Sequence, residues 1–299
     1  MTLTLDILLS GLVLGGMYAL IAMGLTLQYG IARIMNLSYG EFLIAAAFGA
    51  LFLFTGMAVN PILGLLLIVP ASFAANWLLY RVVLTPLVKR AKNQGMLEVD
   101  SILGTFGVLF VIQGIMQVVF GGALQSYSYL SVPVRILGTT LAANRILALL
   151  FALVIGGLLY LLLTRTRYGT ALRAIAVNPV AAQLSGIDIA AASGLAFAAG
   201  GAIVGAGGVL ISMFLTFSAA SGVIFTMKAL IVVIMGGVGN MMGALVAGLL
   251  LGIAGALGQH GQLTLEALRQ GQAAQHLAQQ SVDQQIWVAA DGAGEVQIA

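Results

Sequence analysis

The feature that most restricts this chain is the length of its apolar runs. Ile7 to Leu27 carries no charged residue, and similar stretches recur along most of the sequence. About 20 apolar residues of helix cross the hydrocarbon core of a bilayer. Such runs do not suit a transmembrane barrel, whose strands alternate apolar and polar side chains over short segments. With 61% hydrophobic and 7% charged residues and a mean hydropathy of +1.10, the chain is no soluble domain either, since charge there approaches roughly a quarter. The expected fold is all-α, a polytopic transmembrane helical bundle of about eight spans in a lipid bilayer.

The spans are drawn at Leu5–Tyr29, Leu37–Phe54, Ile62–Leu84, Ser101–Phe120, Arg145–Leu163, Ile189–Phe214, Val223–Met235 and Gly239–Leu257. The first run lacks a basic leader and a small-residue cleavage site, so it is read as a retained span. Val223–Met235 is short and Leu37–Phe54 opens on polar residues, the marks of broken or re-entrant helices lining a translocation path. Basic residues cluster in alternate loops: Arg33 in one, Arg81, Lys89, Arg90 and Lys92 around the next, Arg165, Arg167 and Arg173 in the third. These loops are assigned to the inside. The N-terminus and the Gly121–Asn144 connection then lie outside, with Tyr127, Tyr129 and Pro133 near the interface.

Many of the 39 glycines sit inside apolar segments. Gly11/Gly15, Gly201/Gly205 and Gly248/Gly252 have the four-residue spacing that lets helix backbones approach closely in lipid; packing within one chain is the expected use, with a subunit interface as the alternative. From Gln259 the composition changes to Gln, Ala and acidic residues. Residues 1–258 are therefore read as the membrane domain and 259–299 as a polar, Gln-rich, poorly ordered tail.

One connection is too long to be a simple join. Between Thr164 and Asp188, Asn178 suits a helix cap, Pro179 a first helical position and Gly186 a helix end, which gives a two-turn helix over Pro179 to Ser185. Two charges sit beside apolar segments, Glu41 and Lys228. Ionisable groups in a bilayer are costly and often functional. Glu41 either serves the translocation path or marks the cytoplasmic end of the second span beside Arg33. Lys228, early in a short span, can snorkel to water. Asn36, Ser38, Gly40, Gly236, Gly237 and Asn240 are further candidates for polar groups along the path.

The chemistry left out is also informative. The chain has no cysteine, and His260 and His276 both fall in the tail, so no metal site is expected in the spans. No Gly-x-x-x-x-Gly-Lys-Ser/Thr occurs, and Gly236-Gly237-Val238-Gly239-Asn240 lacks the lysine and hydroxyl that hold nucleotide phosphates. No cofactor and no nucleic-acid partner is expected.

Four stretches carry a resemblance. They are Leu12-Val13-Leu14-Gly15-Gly16-Met17-Tyr18-Ala19-Leu20-Ile21-Ala22-Met23-Gly24-Leu25, Ile34-Met35-Asn36-Leu37-Ser38-Tyr39-Gly40-Glu41-Phe42, Arg173-Ala174-Ile175 through Asn178-Pro179-Val180-Ala181-Ala182 to Gly186-Ile187, and Met227-Lys228-Ala229-Leu230 leading to Met235-Gly236-Gly237-Val238-Gly239-Asn240. In this order they resemble the integral-membrane permease of bacterial ABC importers for branched-chain amino acids, a family that also holds urea and short-amide permeases. The resemblance implies a multi-pass protein of the bacterial inner membrane that is not itself an enzyme. Implied partners are ATP-binding cassette subunits that hydrolyse ATP, a second permease subunit and a periplasmic substrate-binding protein. It also implies that Arg173, Asn178, Pro179, Ala181, Ala182, Gly186 and Ile187 form the cytoplasmic coupling element. The family pattern continues past the last glycine-rich span with another hydrophobic helix, where this chain has the polar tail.

Readings of other classes fit less well. An ion-coupled secondary carrier usually needs several buried carboxylates at the midplane, and an intramembrane enzyme lacks Cys, membrane-placed His and paired acids here. A passive channel differs in needing no ATP.

Overall fold

The computed structural model describes residues 2–91, 93–127, 129–136, 139–259 and 261. The chain divides into two compact units, Met1–Ile253 and Ala254–Ala299. The second unit is described over 254–259 and 261, all helical, so the expected tail lies almost wholly outside the described residues.

Helix α1 (Thr2–Ala32) is followed by α2 (Tyr39–Met57) and α3 (Pro61–Arg90), whose path includes a π turn at Tyr80–Leu84. Asn60 caps α3 by accepting from the Ile62 amide at 3.0 Å, with Pro61 at its first position. Asn93 caps α4 (Gln94–Phe120) through the Met96 amide at 2.8 Å, and Gly121 ends it at φ +78°. This cap starts α4 well before Ser101, and α3 likewise outruns Leu84, because both helices continue into polar sequence beyond their apolar stretch. Strands β1 (Pro133–Ile136) and β2 (Thr139–Ala142) then form an antiparallel hairpin, where only a connection was expected.

Helices α5 (Ala143–Arg165), α6 (Arg167–Val177), α7 (Pro179–Leu184), α8 (Ile189–Ser212), α9 (Gly222–Gly236) and α10 (Met241–Gln259) complete the described chain. Seven of the described helices are long and apolar enough to cross a membrane; α9 is the shorter apolar helix beside them. This is the polytopic helical bundle that the apolar runs require.

The core is built around α8, which packs on α1, α2 and α3. Its glycines explain how one helix serves three neighbours. A Cβ at Gly200 would meet Gln28 and the Gly24 carbonyl on α1, at Gly201 and Gly205 it would meet Asn76 and Ser72 on α3, and at Gly208 the Leu43 carbonyl on α2. Gly11 and Gly15 meet Gly252 and Leu249 backbone to backbone. These small ridges are therefore used within the chain, as dispersion between close backbones replaces a hydrophobic force that lipid does not supply. On the outward face, Leu103, Phe106, Phe110 and Val118 of α4 and Leu150, Val154, Leu158 and Leu161 of α5 are exposed, as lipid-facing side chains are.

At the end of the bundle away from the arginine-rich loops, Gln125 pairs with Phe217 through two backbone hydrogen bonds of 2.8 and 3.0 Å. Tyr127 shares a 2.8 Å hydrogen bond with Ser212; burial pushes its hydroxyl up from the ordinary value, outweighing the opposing effect of that bond.

Candidate functional site

Two regions gather the residues singled out in the sequence. The first lies inside the bundle. Arg33 leaves α1 in a left-handed conformation, φ +52°, and turns the chain back among the helices instead of out to solvent. Residues 33–38 then climb through the bundle, held by side chains: the Leu37 amide donates to Thr105 Oγ1 at 3.1 Å, and Asn36 Nδ2 donates to Gln28 Oε1 at 3.2 Å. Gln28 in turn donates to the Phe197 carbonyl at 2.8 Å. Asn36 Oδ1 accepts from both the amide and the hydroxyl of Ser38, at 3.1 and 2.7 Å. Asn36, Ser38 and Gln28 are all buried, so this network satisfies groups that water cannot reach.

The result is that α2 begins deep inside the bundle. Tyr39, its first residue, donates its hydroxyl to the Ile21 carbonyl at 2.8 Å, about halfway along α1. The Gly40 amide donates to Thr226 Oγ1 at 2.8 Å, which brings the start of α9 to the same level. Gly40 and Gly222 must both lack a side chain, because a Cβ at Gly40 would strike the Gly222 carbonyl and one at Gly222 would strike the Glu41 carboxyl. Two helix N-termini therefore meet inside the bundle, about halfway along α1, an arrangement characteristic of discontinuous helices.

Glu41 belongs to this meeting point and not to the cytoplasmic edge beside Arg33. It is 0% exposed, and neither carboxyl oxygen has a hydrogen-bond partner among the described residues. Lys228 is also occupied differently from the expected snorkelling. It is half-buried, donates Nζ to Tyr18 Oη at 2.8 Å and sits 4.8 Å from the Tyr18 ring centroid, on α1 near its middle. Gly236, Gly237 and Asn240 lie elsewhere. Gly237 and Gly239, at φ +84° and +80°, make the turn into α10, and Asn240 caps it through the Gly243 amide at 3.0 Å. Asn240 lines a cavity of about 200 Å³ together with Thr26, Gly30 and Arg173, at the end of the bundle that carries the arginine-rich loops.

The second region is that loop. Thr166 caps α6 through the Gly169 amide at 3.1 Å, and Asn178 caps α7 through the Ala181 amide at 3.1 Å. Gly186, at φ +81°, ends α7, with the Ile187 amide donating to the Ala182 carbonyl at 3.1 Å; a glycine in this conformation is the usual helix stop. The sequence placed α7 almost residue for residue. It did not single out α6 as a helix, although Thr166 offered a cap. Arg33 Nη2 donates to the Ala176 carbonyl at 3.4 Å, which ties α6 to the end of α1. Arg173, Ala181, Ala182 and Ile187 line an open cavity of about 540 Å³ between α6 and α7. The loop also exposes apolar side chains: Val177 is 84% and Leu184 86% exposed, and Tyr168 and Val180 of the same two helices are exposed as well. Scattered exposed apolar residues are ordinary; here four of them fall on two short helices beside Arg167 and Arg173.

Gln28, Tyr39, Gly222 and Thr226 were not anticipated as site residues. Thr226 carried a signal, as a hydroxyl within an apolar span.

Comparison with known proteins places these features in context. Residues 7–268 match a family model described as the permease component of a branched-chain amino acid transport system. A probable branched-chain amino acid transport permease, LivH of Methanocaldococcus jannaschii, is 27% identical over 254 residues, covering 84% of this chain and 80% of the relative. BraD of Pseudomonas aeruginosa, a high-affinity branched-chain amino acid transport permease, is 27% identical over 84% of this chain and 85% of its own. LivH of Salmonella typhimurium, of the same description, is 28% identical over 83% of each. No solved structure matches significantly.

Proposed function

The chain belongs to the branched-chain amino acid transport permease family, and from that premise we propose that it is the membrane subunit of an ATP-driven importer. In this reading it passes branched-chain amino acids across a bacterial inner membrane. A periplasmic binding protein delivers the substrate, a second permease subunit completes the path, and ATP-binding cassette subunits hydrolyse ATP. This chain itself holds no cofactor and performs no catalysis.

The observation that carries the coupling part is the exposed apolar surface on α6 and α7, at the end of the bundle with the basic loops. Arg173, Asn178, Pro179, Ala181, Ala182, Gly186 and Ile187 shape that surface: the caps and glycine define a compact helix, Ala182 seats it against the chain and the exposed Ala181 leaves room for a close grip. Closure of the ATP-binding subunits on α7 would favour one of two conformations of the bundle, which requires those partners to bind the two unequally. Within the bundle, Asn36, Ser38, Gly40 and Glu41 would line the path.

The test is uptake of radiolabelled leucine in cells carrying the chain with its partner subunits, compared with cells whose ATP-binding subunit is disabled. Partner-dependent uptake is expected. Uptake that persists without the ATP-binding subunit would overturn the importer reading, and partner-dependent uptake of urea in place of leucine would redirect the substrate.

A further inference from the structure

Resting on that reading, we propose that Glu41 and the first turn of α9 form a subsite for the zwitterionic head group of an α-amino acid. The Glu41 carboxylate takes the ammonium, and the first-turn amides of α9 take the carboxylate.

Glu41 is fully buried with both oxygens unpartnered among the described residues. A charge removed from water without a partner costs several kcal/mol, so its retention needs a reason. Its neighbours do not supply the missing donor. The Thr226 hydroxyl is placed to donate to the Leu37 or Gly222 carbonyl, at 3.3 and 3.2 Å. Lys228, the cation of α9, is committed to Tyr18.

The other half of the subsite is the helix against which Glu41 lies. Gly222 is the first residue of α9, and its missing Cβ is the space that the Glu41 carboxyl fills. The N-cap Ser221 makes no side-chain hydrogen bond to the first turn; its hydroxyl accepts from the Ser218 amide at 3.0 Å instead. Uncapped amides and the positive end of the helix dipole attract an anion. The structure thus sets an acceptor of positive charge directly beside donors suited to negative charge. An α-amino acid carries those two charges on one carbon, whereas urea and short amides carry neither. The subsite is closed in this structure, and admitting a ligand requires α9 to draw away from α2.

The test uses the chain reconstituted in nanodiscs with its partner subunits and without the binding protein, measuring equilibrium binding of radiolabelled leucine. Competitors are isoamylamine, which keeps the ammonium, and 4-methylpentanoate, which keeps the carboxylate. The wild-type complex should bind leucine and yield it to both. Glu41→Gln should weaken leucine binding at least about tenfold, the loss expected for a charged hydrogen bond. It should also abolish competition by the amine while leaving competition by the acid, an asymmetry that misfolding does not produce. Wild-type leucine binding in Glu41→Gln, equal loss of both competitors, or no leucine binding by a wild-type complex that transports leucine would each overturn the subsite alone. Absence of ATP-dependent leucine uptake by the wild type would instead overturn the branched-chain amino acid reading of the substrate beneath it.

Discussion

The amide of Gly40 donates to the hydroxyl of Thr226 across 2.8 Å, joining the first turn of α2 to the first turns of α9 from 186 residues away. This bond caps an α2 terminus whose own N-cap, Ser38, makes no side-chain bond to it.

Thr226→Val keeps the shape but leaves the Gly40 amide unsatisfied in a buried site. The expected cost is about 1–3 kcal/mol, read as a lower unfolding midpoint in detergent. Thr226→Ser should restore most of it. Equal stability of the valine and serine variants would show that the bond contributes nothing.

Gly208 and Gly107 make opposite predictions for the same change. A Cβ at Gly208 would fall on the Leu43 carbonyl, and one at Gly107 would meet nothing within 4 Å. Gly208→Ala should destabilise by about 1–3 kcal/mol through forced separation of α8 from α2. Gly107→Ala should be neutral, or stabilising by up to about 1 kcal/mol from helix propensity. Thermal unfolding of the two purified variants gives the comparison.

Tyr18 and Lys228 should be unequal partners. Tyr18→Phe strips the lysine of its hydrogen bond and leaves a half-buried charge, at a cost of about 1.5–3 kcal/mol. Lys228→Met removes the charge itself and should cost less, since taking away both the ion and its need for a partner is the milder change. A lysine variant less stable than the tyrosine variant would refute this ordering.

On the surface of α7, Leu184→Asp alters a side chain that is 86% exposed. Stability should stay within about 0.5 kcal/mol, while ATP-dependent uptake falls at least about tenfold if a partner grips α7. Gly186→Trp should also uncouple ATP hydrolysis from uptake, and it adds about 1–2 kcal/mol of backbone strain because φ there is +81°. Uptake unchanged in both variants would move the coupling surface elsewhere.

What could be read in the sequence was local. Asn178, Pro179 and Gly186 lie within nine residues and each acts on its own backbone, so α7 was legible as a capped helix. The apolar runs were legible for the same reason, since a span is a property of one contiguous segment. The junction of Glu41 with Gly222 was not, because it depends on two chain reversals into the bundle, at 33–38 and 213–221, and on a glycine whose role is to leave space. Lys228 looked like a residue on its way to water because nothing near it in sequence names Tyr18. The hairpin at Pro133–Ala142 escaped notice because four-residue strands are too short for their alternation to stand out.

Gly169 has a mechanical consequence. A Cβ there would fall on the Leu163 carbonyl, so α6 is pressed against the last turn of α5 with no slack between them. Under the proposed coupling, a displacement applied at α6 would find no pliant joint to absorb it. It would turn α5 as a lever arm 23 residues long, or about 35 Å, and the stroke would emerge at the opposite end of that helix, where Ala143 follows the hairpin.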